Sequence, residues 1–210
     1  MKIISHRGYW DNHTEKNTEL AFERSFRLGF GTETDFRDFL GDLVIAHDPP
    51  REKPLDADRC FSLLARHDPC LPLAINIKAD GLQNLLKKAL GKYKLNNYFL
   101  FDMAVPDAVQ SLKQGLRCFT RHSELEAAPS FYNEAAGVWM DGFFTDWITP
   151  EAIRPHLDAG KQVCLVSPEL HGREHRRLWD LIAGASDLLD HPDLLLCSDI
   201  PETARNYLNT

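Results

Sequence analysis

The chain has 210 residues, of which 43% are hydrophobic and 26% are charged. This composition is close to average globular usage and excludes a disordered or collagen-like chain. The formal net charge of −7 argues against broad binding to a nucleic-acid backbone. No apolar run reaches the roughly 18 residues of a membrane helix, and the N-terminus does not resemble a secretion signal. We therefore expect one cytoplasmic domain over residues 1–210.

Short apolar segments alternate with helical patterns along the chain. Strands are predicted over residues 2–5, 32–39, 71–78, 97–103, 116–121, 138–143, 161–167 and 194–199. Helices are predicted over residues 17–28, 81–92, 105–114, 150–159, 173–185 and 201–208. This alternation is typical of a parallel sheet covered by helices, and eight such units predict an α/β fold, the (β/α)8 TIM barrel with short loops. A doubly wound open sheet is the alternative, but no Gly-rich G-x-G-x-x-G turn follows the first strand.

A β-hairpin is predicted after the second strand. Gly41-Asp42 separates two apolar arms and is a two-residue turn signal. The second arm should fold back along the second strand and bring His47 near Glu33 and Asp35.

The five cysteines are an odd number and include no C-x-x-C pair. A disulfide framework or a zinc site is therefore not expected. We expect most of the cysteines to be small buried hydrophobic residues.

Polar side chains recur at the later end of nearly every predicted strand. They are His6, Arg7, Glu33, Asp35, Asn76, Lys78, Asp102, Arg121, Asp141, Glu169 and Asp199. In a TIM barrel these strand ends meet at one mouth, where active sites lie. Converging charges are unfavourable unless they are paired or bound to a metal, so the pattern indicates a functional site. The histidines at positions 13, 67, 156, 175 and 191 fall in predicted loops or helices and are expected at the surface.

The residue types in this set suit metal-assisted chemistry. Glu33 and Asp35 are two residues apart on one strand, so they share a face and suit a hard divalent cation. His6 and His47 can divide general-acid and general-base work, because imidazole titrates near neutrality. Arg7 presents a planar fork that suits phosphate oxygens. The structural alternatives are a surface charge pair, satisfied structural histidines and a salt bridge.

Four ordered motifs within residues 3–49 resemble the glycerophosphodiester phosphodiesterase family. They are Ser5-His6-Arg7-Gly8, Lys16-Asn17-Thr18, Gly31-Thr32-Glu33-Thr34-Asp35 and Ala46-His47-Asp48. The likeness is thinner afterwards, at residues 75–78, 141–143 and 198–201. The resemblance implies a TIM barrel that uses Mg²⁺ or Ca²⁺ to hydrolyse a glycerophosphodiester, or a similar polyol phosphodiester, to sn-glycerol 3-phosphate and an alcohol. The substrate's own hydroxyl would attack phosphorus, and water would then open the resulting cyclic phosphate.

The resemblance also implies roles for individual residues. The acid/base pair would be His6 and His47, the phosphate-binding residues Arg7 and Lys78, and the metal ligands Glu33, Asp35 and Asn76. Additional residues at the mouth would be Asn17, Asp102, Arg121 and Glu169.

The sequence departs from the family pattern at two of these positions. Asn76 stands where the family usually has a glutamate, so the affinity for the cation should fall unless Asp102 or Glu169 compensates. Lys16 stands where the family has a glutamate before the asparagine, which puts the orienting role of that glutamate in doubt. The family also often carries a sizeable insertion after its H-D motif, whereas only residues 49–71 separate that motif from the third strand here. Little should cover the mouth, and the substrate preference should differ.

Two other functions remain open on this sequence. A phospholipase D-like lyase would stop at the cyclic phosphate, although the acidic charge argues against a lipid surface. A non-catalytic binding barrel is favoured by Asn76 and Lys16, each of which removes a carboxylate. The expected partner is a small-molecule phosphodiester rather than nucleic acid or a membrane, and the sequence does not indicate an oligomeric state.

Overall fold

The computed structural model describes residues 1–209. The chain divides into two compact units. The N-terminal unit is Ser5–Cys118, and the C-terminal unit is Met1–Ile4 together with the residues from Phe119 onward. Strand β1 (Lys2–His6) contributes residues to both units. Among the described residues, no helix has both the length and the apolar character needed to cross a bilayer.

The N-terminal unit alternates strands with helices. After β1, its elements are α1 (Glu19–Arg27), β2 (Gly31–Phe39), β3 (Asp42–Ile45), β4 (Leu55–Asp56), α2 (Ala57–His67), β5 (Leu73–Ile77), α3 (Gln83–Tyr93), β6 (Tyr98–Phe101) and α4 (Val105–Lys113). Strand β5 lies between β2 and β6 and is parallel to both. Strand β3 pairs antiparallel with β2 on one side and with β4 on the other. All five residues of β5 are buried, as expected for a parallel strand covered on both faces.

Local signals in the sequence explain where the helices of this unit begin and which face they bury. Helix α1 begins after Thr18, whose hydroxyl accepts a hydrogen bond from the Ala21 N–H at 3.3 Å. Phe22 and Phe26 follow at a spacing of four residues, and both are buried in the apolar core that the helices share with the strands of this unit. Phe36 of β2 stacks on Phe61 of α2 with ring centroids 5.4 Å apart. One apolar core therefore joins these helices to β2.

The structure corrects the predicted elements at several places. Helix α2 was not predicted, although Asp56 caps it and its apolar residues recur at helical spacing. The hairpin turn consists of Leu40 and Gly41, with φ of 52° and 92°, and not of Gly41 and Asp42, because β3 already begins at Asp42. The helix predicted over residues 173–185 is shorter, Arg176–Ala183.

The C-terminal unit repeats the alternation of strands with helices. Its elements are β7 (Phe119–Ser123), β8 (Gly137–Asp141), α5 (Pro150–Asp158), β9 (Gln162–Val166), α6 (Arg176–Ala183), α7 (Ser186–Leu189), β10 (Leu194–Ser198) and α8 (Pro201–Leu208). The strands run in the order β10-β9-β8-β7, and every pair in this series is parallel. Trp179 of α6 is fully buried.

The cysteines behave as expected. All five are free thiols, and all except the exposed Cys70 are buried. Burial raises the pKa of the Cys118 thiol to about 12, so this side chain acts as a small apolar residue.

Gly137 in β8 is a position where the sheet leaves no room for a side chain. A Cβ atom there would lie 2.5 Å from the Gln162 carbonyl oxygen and 2.4 Å from the Phe119 ring. We expect Gly137→Ala to lower the free energy of unfolding by about 1–3 kcal/mol, since the neighbours must move. Urea unfolding followed by circular dichroism measures this change.

Gly91 in α3 provides the matched control, because no atom lies within 4 Å of the position its Cβ would take. Gly91→Ala should raise the free energy of unfolding by up to about 1 kcal/mol, because alanine favours the helix. Equal stability of Gly137→Ala and the wild type would contradict the close packing of β8.

Candidate functional site

The turn after β1 places Arg7 beside β2. Arg7 and Gly8 have left-handed backbone conformations, with φ of 60° and 81°. A Cβ on Gly8 would lie 2.6 Å from the Ala21 Cβ, so glycine is required at this close approach. The Gly8 N–H donates to the Thr32 hydroxyl at 3.0 Å, and the Arg7 N–H donates to the Glu33 carbonyl at 2.8 Å. Left-handed non-glycine residues are strained and cluster at functional sites.

Strands β2 and β5 bring three oxygen-bearing side chains together. Glu33 and Asp35 lie two residues apart on one face of β2, and Asn76 of β5 is the register partner of Asp35. Their exposed fractions are 1%, 0% and 7%. Two carboxylates and an amide are thus removed from water within one unit of the chain.

Two cations and an amide surround the Asp35 carboxylate. The Arg7 Nε lies 2.9 Å from Asp35 Oδ2, and the Lys78 Nζ lies 3.5 Å from Oδ1. The Asn17 amide donates to Oδ2 at 2.8 Å. Asn17 is itself positioned by the Thr34 hydroxyl, which donates to its Oδ1 at 2.7 Å. Lys78 also lies 3.9 Å from Asp102 Oδ2, so the structure places all of these predicted residues in one network.

Among the described residues, the Glu33 carboxylate has fewer ion-pair partners than the Asp35 carboxylate. Its Oε1 accepts a hydrogen bond from the Asn76 amide at 3.1 Å, and its Oε2 accepts one from the Arg7 N–H at 3.2 Å. The His6 Nε2 lies 3.8 Å from Oε2. Burial raises the pKa of the Glu33 carboxyl, and the neighbouring Asp35 raises it further, while His6 and Arg7 act in the opposite direction. The ionised form of Glu33 is therefore disfavoured relative to a carboxylate in water.

His47 lies just beyond β3 and faces solvent. The Ala46 N–H donates to the Asp35 carbonyl at 3.0 Å, so the hairpin brings this segment alongside β2. The His47 side chain is 47% exposed, and its Nδ1 lies 2.8 Å from Asp48 Oδ1. Since an ionised carboxylate only accepts hydrogen bonds, Nδ1 carries the proton and Nε2 is the basic atom. Among the described residues, no hydrogen bond or ion pair joins the His47 ring to Glu33 or Asp35.

An open groove lies beside His47. It has a volume of about 730 Å³, and Arg7, Lys16, Asn17 and Lys53 contribute to its lining. A small molecule can therefore reach both His47 and the Arg7 guanidinium within the N-terminal unit. The sequence motifs predicted no role for Asp48, although its position next to His47 was a signal for one.

The buried oxygen atoms suit a hard cation. Among the described residues, no group of three or more His, Cys, Asp or Glu side chains is arranged to hold a metal. Within the same residues, Asn76 Oδ1 is buried and accepts no hydrogen bond, and the buried Asp35 Oδ1 has the Lys78 Nζ 3.5 Å away as an ion-pair partner but also accepts no hydrogen bond. Unpaired buried acceptors are unfavourable, and Mg²⁺ or Ca²⁺ takes carboxylate and amide oxygens as ligands. The donor set of Glu33, Asp35 and Asn76 therefore fits such an ion, with one charge fewer than a set of three carboxylates.

Arg121 and Glu169 belong to networks of the C-terminal unit. Arg121 Nη1 lies 2.9 Å from Asp141 Oδ2, and His171 Nε2 lies 2.7 Å from Asp141 Oδ1. Glu169 Oε1 accepts hydrogen bonds from the Ser198 hydroxyl at 2.6 Å and from a backbone N–H at 3.2 Å. A role for Glu169 or Asp102 in supporting the cation remains a prediction.

The prediction that His156 lies at the surface is wrong. His156 is 8% exposed, and it bonds to His122 and to the Tyr132 hydroxyl, each at 2.9 Å. Burial, followed by the neighbouring His122, lowers the pKa of His156 to about 4. The signal was present in the sequence, because Ile153, His156 and Leu157 share one face of α5 and are all buried.

Glu124 holds the loop that follows β8. Its carboxylate accepts hydrogen bonds from the backbone N–H groups of Phe143, Phe144 and Thr145, at 3.2, 2.7 and 3.1 Å. Burial raises the pKa of this carboxyl, but the backbone donors outweigh burial and lower it to about 2. The ionised carboxylate is therefore the form that orders this loop.

No protein-family model and no curated protein matches the chain. Solved structures, in contrast, match it over its whole length. A protein from Galdieria sulphuraria, provisionally assigned as a glycerophosphodiester phosphodiesterase, has a TM-score of 0.75 at 16% identity, with 100% of this chain and 98% of that chain covered. The glycerophosphodiester phosphodiesterase from Agrobacterium tumefaciens has a TM-score of 0.69 at 16% identity, with 100% of both chains covered.

A third neighbour is an Oleispira antarctica phosphodiesterase in complex with its product, sn-glycerol-3-phosphate. Its TM-score is 0.64 at 15% identity, with 100% of this chain and 97% of that chain covered. Likeness at such identities shows the fold. The chain has the α/β, (β/α)8 TIM-barrel fold of these proteins, with the predicted β-hairpin after the second strand.

The Glu124 contacts generate a pH-dependent prediction. The folded-state pKa of about 2 lies below the usual value of 4.5, so the stabilisation is present above 4.5 and is lost as the pH falls towards 2. We expect Glu124→Gln to unfold at lower urea concentration than the wild type at neutral pH. The difference should shrink as the pH is lowered. Glu134→Gln, on an exposed residue of the same unit, is the control. A difference that stays constant with pH would contradict the assignment.

Proposed function

We propose that this chain hydrolyses a glycerophosphodiester, or a similar polyol phosphodiester, to sn-glycerol 3-phosphate and an alcohol. The observation that carries the proposal is the buried pair Glu33 and Asp35, placed with Asn76 beside the cations Arg7 and Lys78. The four sequence motifs and the whole-chain fold likeness to phosphodiesterases support it. The product complex of one structural neighbour supports the choice of a small glycerol phosphate ligand.

Charged groups of the N-terminal unit would bind the substrate phosphate. Arg7 offers its guanidinium edge and Lys78 a compact ammonium, and both suit phosphate oxygens. Glu33, Asp35 and Asn76 would hold a divalent cation, Mg²⁺ or Ca²⁺, through oxygen atoms. When bound, that ion neutralises negative charge that develops on the phosphoryl oxygens.

His47 would act as the general base in the first step. Asp48 holds the proton on Nδ1, so Nε2 takes the proton of the substrate hydroxyl next to the phosphodiester. The hydroxyl oxygen then bonds to phosphorus and closes a cyclic phosphate as the bond to the departing alcohol breaks. His6, whose Nε2 lies 3.8 Å from Glu33 Oε2, gives a proton to the departing oxygen.

In the second step, the two histidines exchange their acid and base roles. Neutral His6 takes a proton from water, and the water oxygen bonds to phosphorus. The ring bond to the substrate oxygen breaks, and His47 returns its proton to that oxygen. Both histidines recover their starting protonation states, and the net reaction consumes one water molecule.

We expect His47→Ala and His6→Ala each to lower kcat for glycerophosphodiester hydrolysis by about 10²–10⁴-fold, since each removes a proton-transfer group. His47 is half exposed, so its variant should keep the wild-type circular dichroism spectrum and melting temperature. His67→Ala is the matched control, because His67 pairs with Glu23 in the same unit and does not line the groove beside His47. Full activity in either active-site variant would refute the acid/base assignment.

Removal of the cation provides a separate test. EDTA-treated protein should lose turnover of a glycerophosphodiester panel, and Mg²⁺, Ca²⁺ or Mn²⁺ should restore it. Phosphorus NMR of the products should show a phosphate monoester, whereas a persistent cyclic ester would indicate the lyase outcome. Folded protein that turns over no member of the panel with any of these ions would refute the proposed function.

A further inference from the structure

Asn76 places an amide, and not a third carboxylate, beside Glu33 and Asp35. Its Nδ2 donates to Glu33 Oε1 at 3.1 Å, and this hydrogen bond fixes the orientation of the amide. Its Oδ1 is buried and has no hydrogen-bond partner among the described residues. The oxygen is therefore available to a cation, but it brings no negative charge.

The groups already present oppose a cation that arrives alone. Arg7 and Lys78 lie 2.9 and 3.5 Å from the two oxygens of Asp35, so both positive charges stand beside the carboxylate that the cation would use. The charges of these two residues offset those of Glu33 and Asp35, and Asp102, with its Oδ2 3.9 Å from the Lys78 Nζ, adds one further negative charge to the network. A divalent ion would therefore add more positive charge than this one carboxylate balances, beside side chains removed from water, which is unfavourable.

A phosphate group changes this balance. Its oxygens carry negative charge and are preferred ligands of Mg²⁺, which proteins commonly hold with one or two carboxylates plus substrate phosphate. Arg7 and Lys78 can bind the same phosphate. Their positive charges then stabilise the phosphate ligand of the cation. Binding of the cation then makes binding of the phosphate more favourable, and binding of the phosphate does the same for the cation.

We propose that Asn76 makes cation binding and phosphate binding at this site mutually dependent, so that the cation is held tightly only together with the substrate's phosphate. This inference rests on the proposed function, since it assumes that the ligand is a glycerol phosphate ester. The physical reason is the charge count of the ligand set, which governs affinity for hard cations. By linkage, the two ligands strengthen each other by the same factor.

Calorimetric titration of the EDTA-treated full chain tests the coupling. The probes are Mg²⁺, Ca²⁺ or Mn²⁺ alone, sn-glycerol 3-phosphate alone, and each titrated in the presence of saturating amounts of the other. We expect the Kd of the cation to fall by at least about tenfold when sn-glycerol 3-phosphate is present, within the usual range of coupling between sites. The Kd of sn-glycerol 3-phosphate should fall by the same factor when the cation is present.

The Asn76→Asp variant tests the cause of the coupling. It restores a carboxylate, so the cation alone should bind at least about tenfold more tightly than to the wild type, and the coupling factor should shrink. Asn96→Asp adds the same charge at an exposed position of the N-terminal unit and should behave like the wild type. If Asn76→Asp does not fold without metal, the wild-type titrations still decide the coupling.

The outcomes separate the inference from the proposed function. Equal cation affinity with and without sn-glycerol 3-phosphate would overturn the inference, while turnover in the phosphodiesterase assay would still support the function. Cation-independent binding of sn-glycerol 3-phosphate would likewise overturn the inference alone. Failure of sn-glycerol 3-phosphate to bind under any condition, together with absent turnover, would overturn both.

Discussion

Asp35 has no exposed surface, and an ionised carboxylate in such a place is stable only where positive charges and donors replace water. Arg7, Lys78 and Asn17 reach it from three separate segments of the N-terminal unit. Removing one partner of a buried ion pair typically costs about 3–5 kcal/mol, because the other charge is left uncompensated. The left-handed turn at Arg7 and the hydrogen bond from Thr34 to Asn17 therefore serve the same carboxylate.

The same arrangement makes the site suitable for phosphate chemistry. The cations that lie beside Asp35 are of the chemical types that bind phosphate oxygens in proteins. Glu33 and Asn76 add further oxygen atoms beside the Asp35 carboxylate. Two oxygen atoms of this set, Asp35 Oδ1 and Asn76 Oδ1, have no hydrogen-bond partner among the described residues. The exposed His47 ring, with Asp48 on its Nδ1, adds a base at the edge of the open groove. In the proposed function, binding and proton transfer would thus involve neighbouring residues of one unit.

The C-terminal unit has polar networks of its own. Asp141 is buried between Arg121 and His171, and Glu169 is engaged by hydroxyl and backbone donors. Glu124 fixes the loop after β8 through three backbone N–H groups. Most of the charged residues predicted at strand ends in this unit therefore have hydrogen-bond or ion-pair partners within the protein.

The alternation of strands with helices, the presence of a hairpin after the second strand and the residue types of the candidate site could be predicted from the sequence, because apolar periodicity and motif order are local properties. It missed α2, although the cap and the apolar spacing of that helix were present. Which side chains come into contact became evident only in the folded chain. The register of β2 on β5 set Asp35 opposite Asn76, and packing buried His156 beside His122 and Tyr132. Such contacts join residues far apart in the chain, so which side chains pair, and how their pKa values shift, depends on packing that no local pattern encodes.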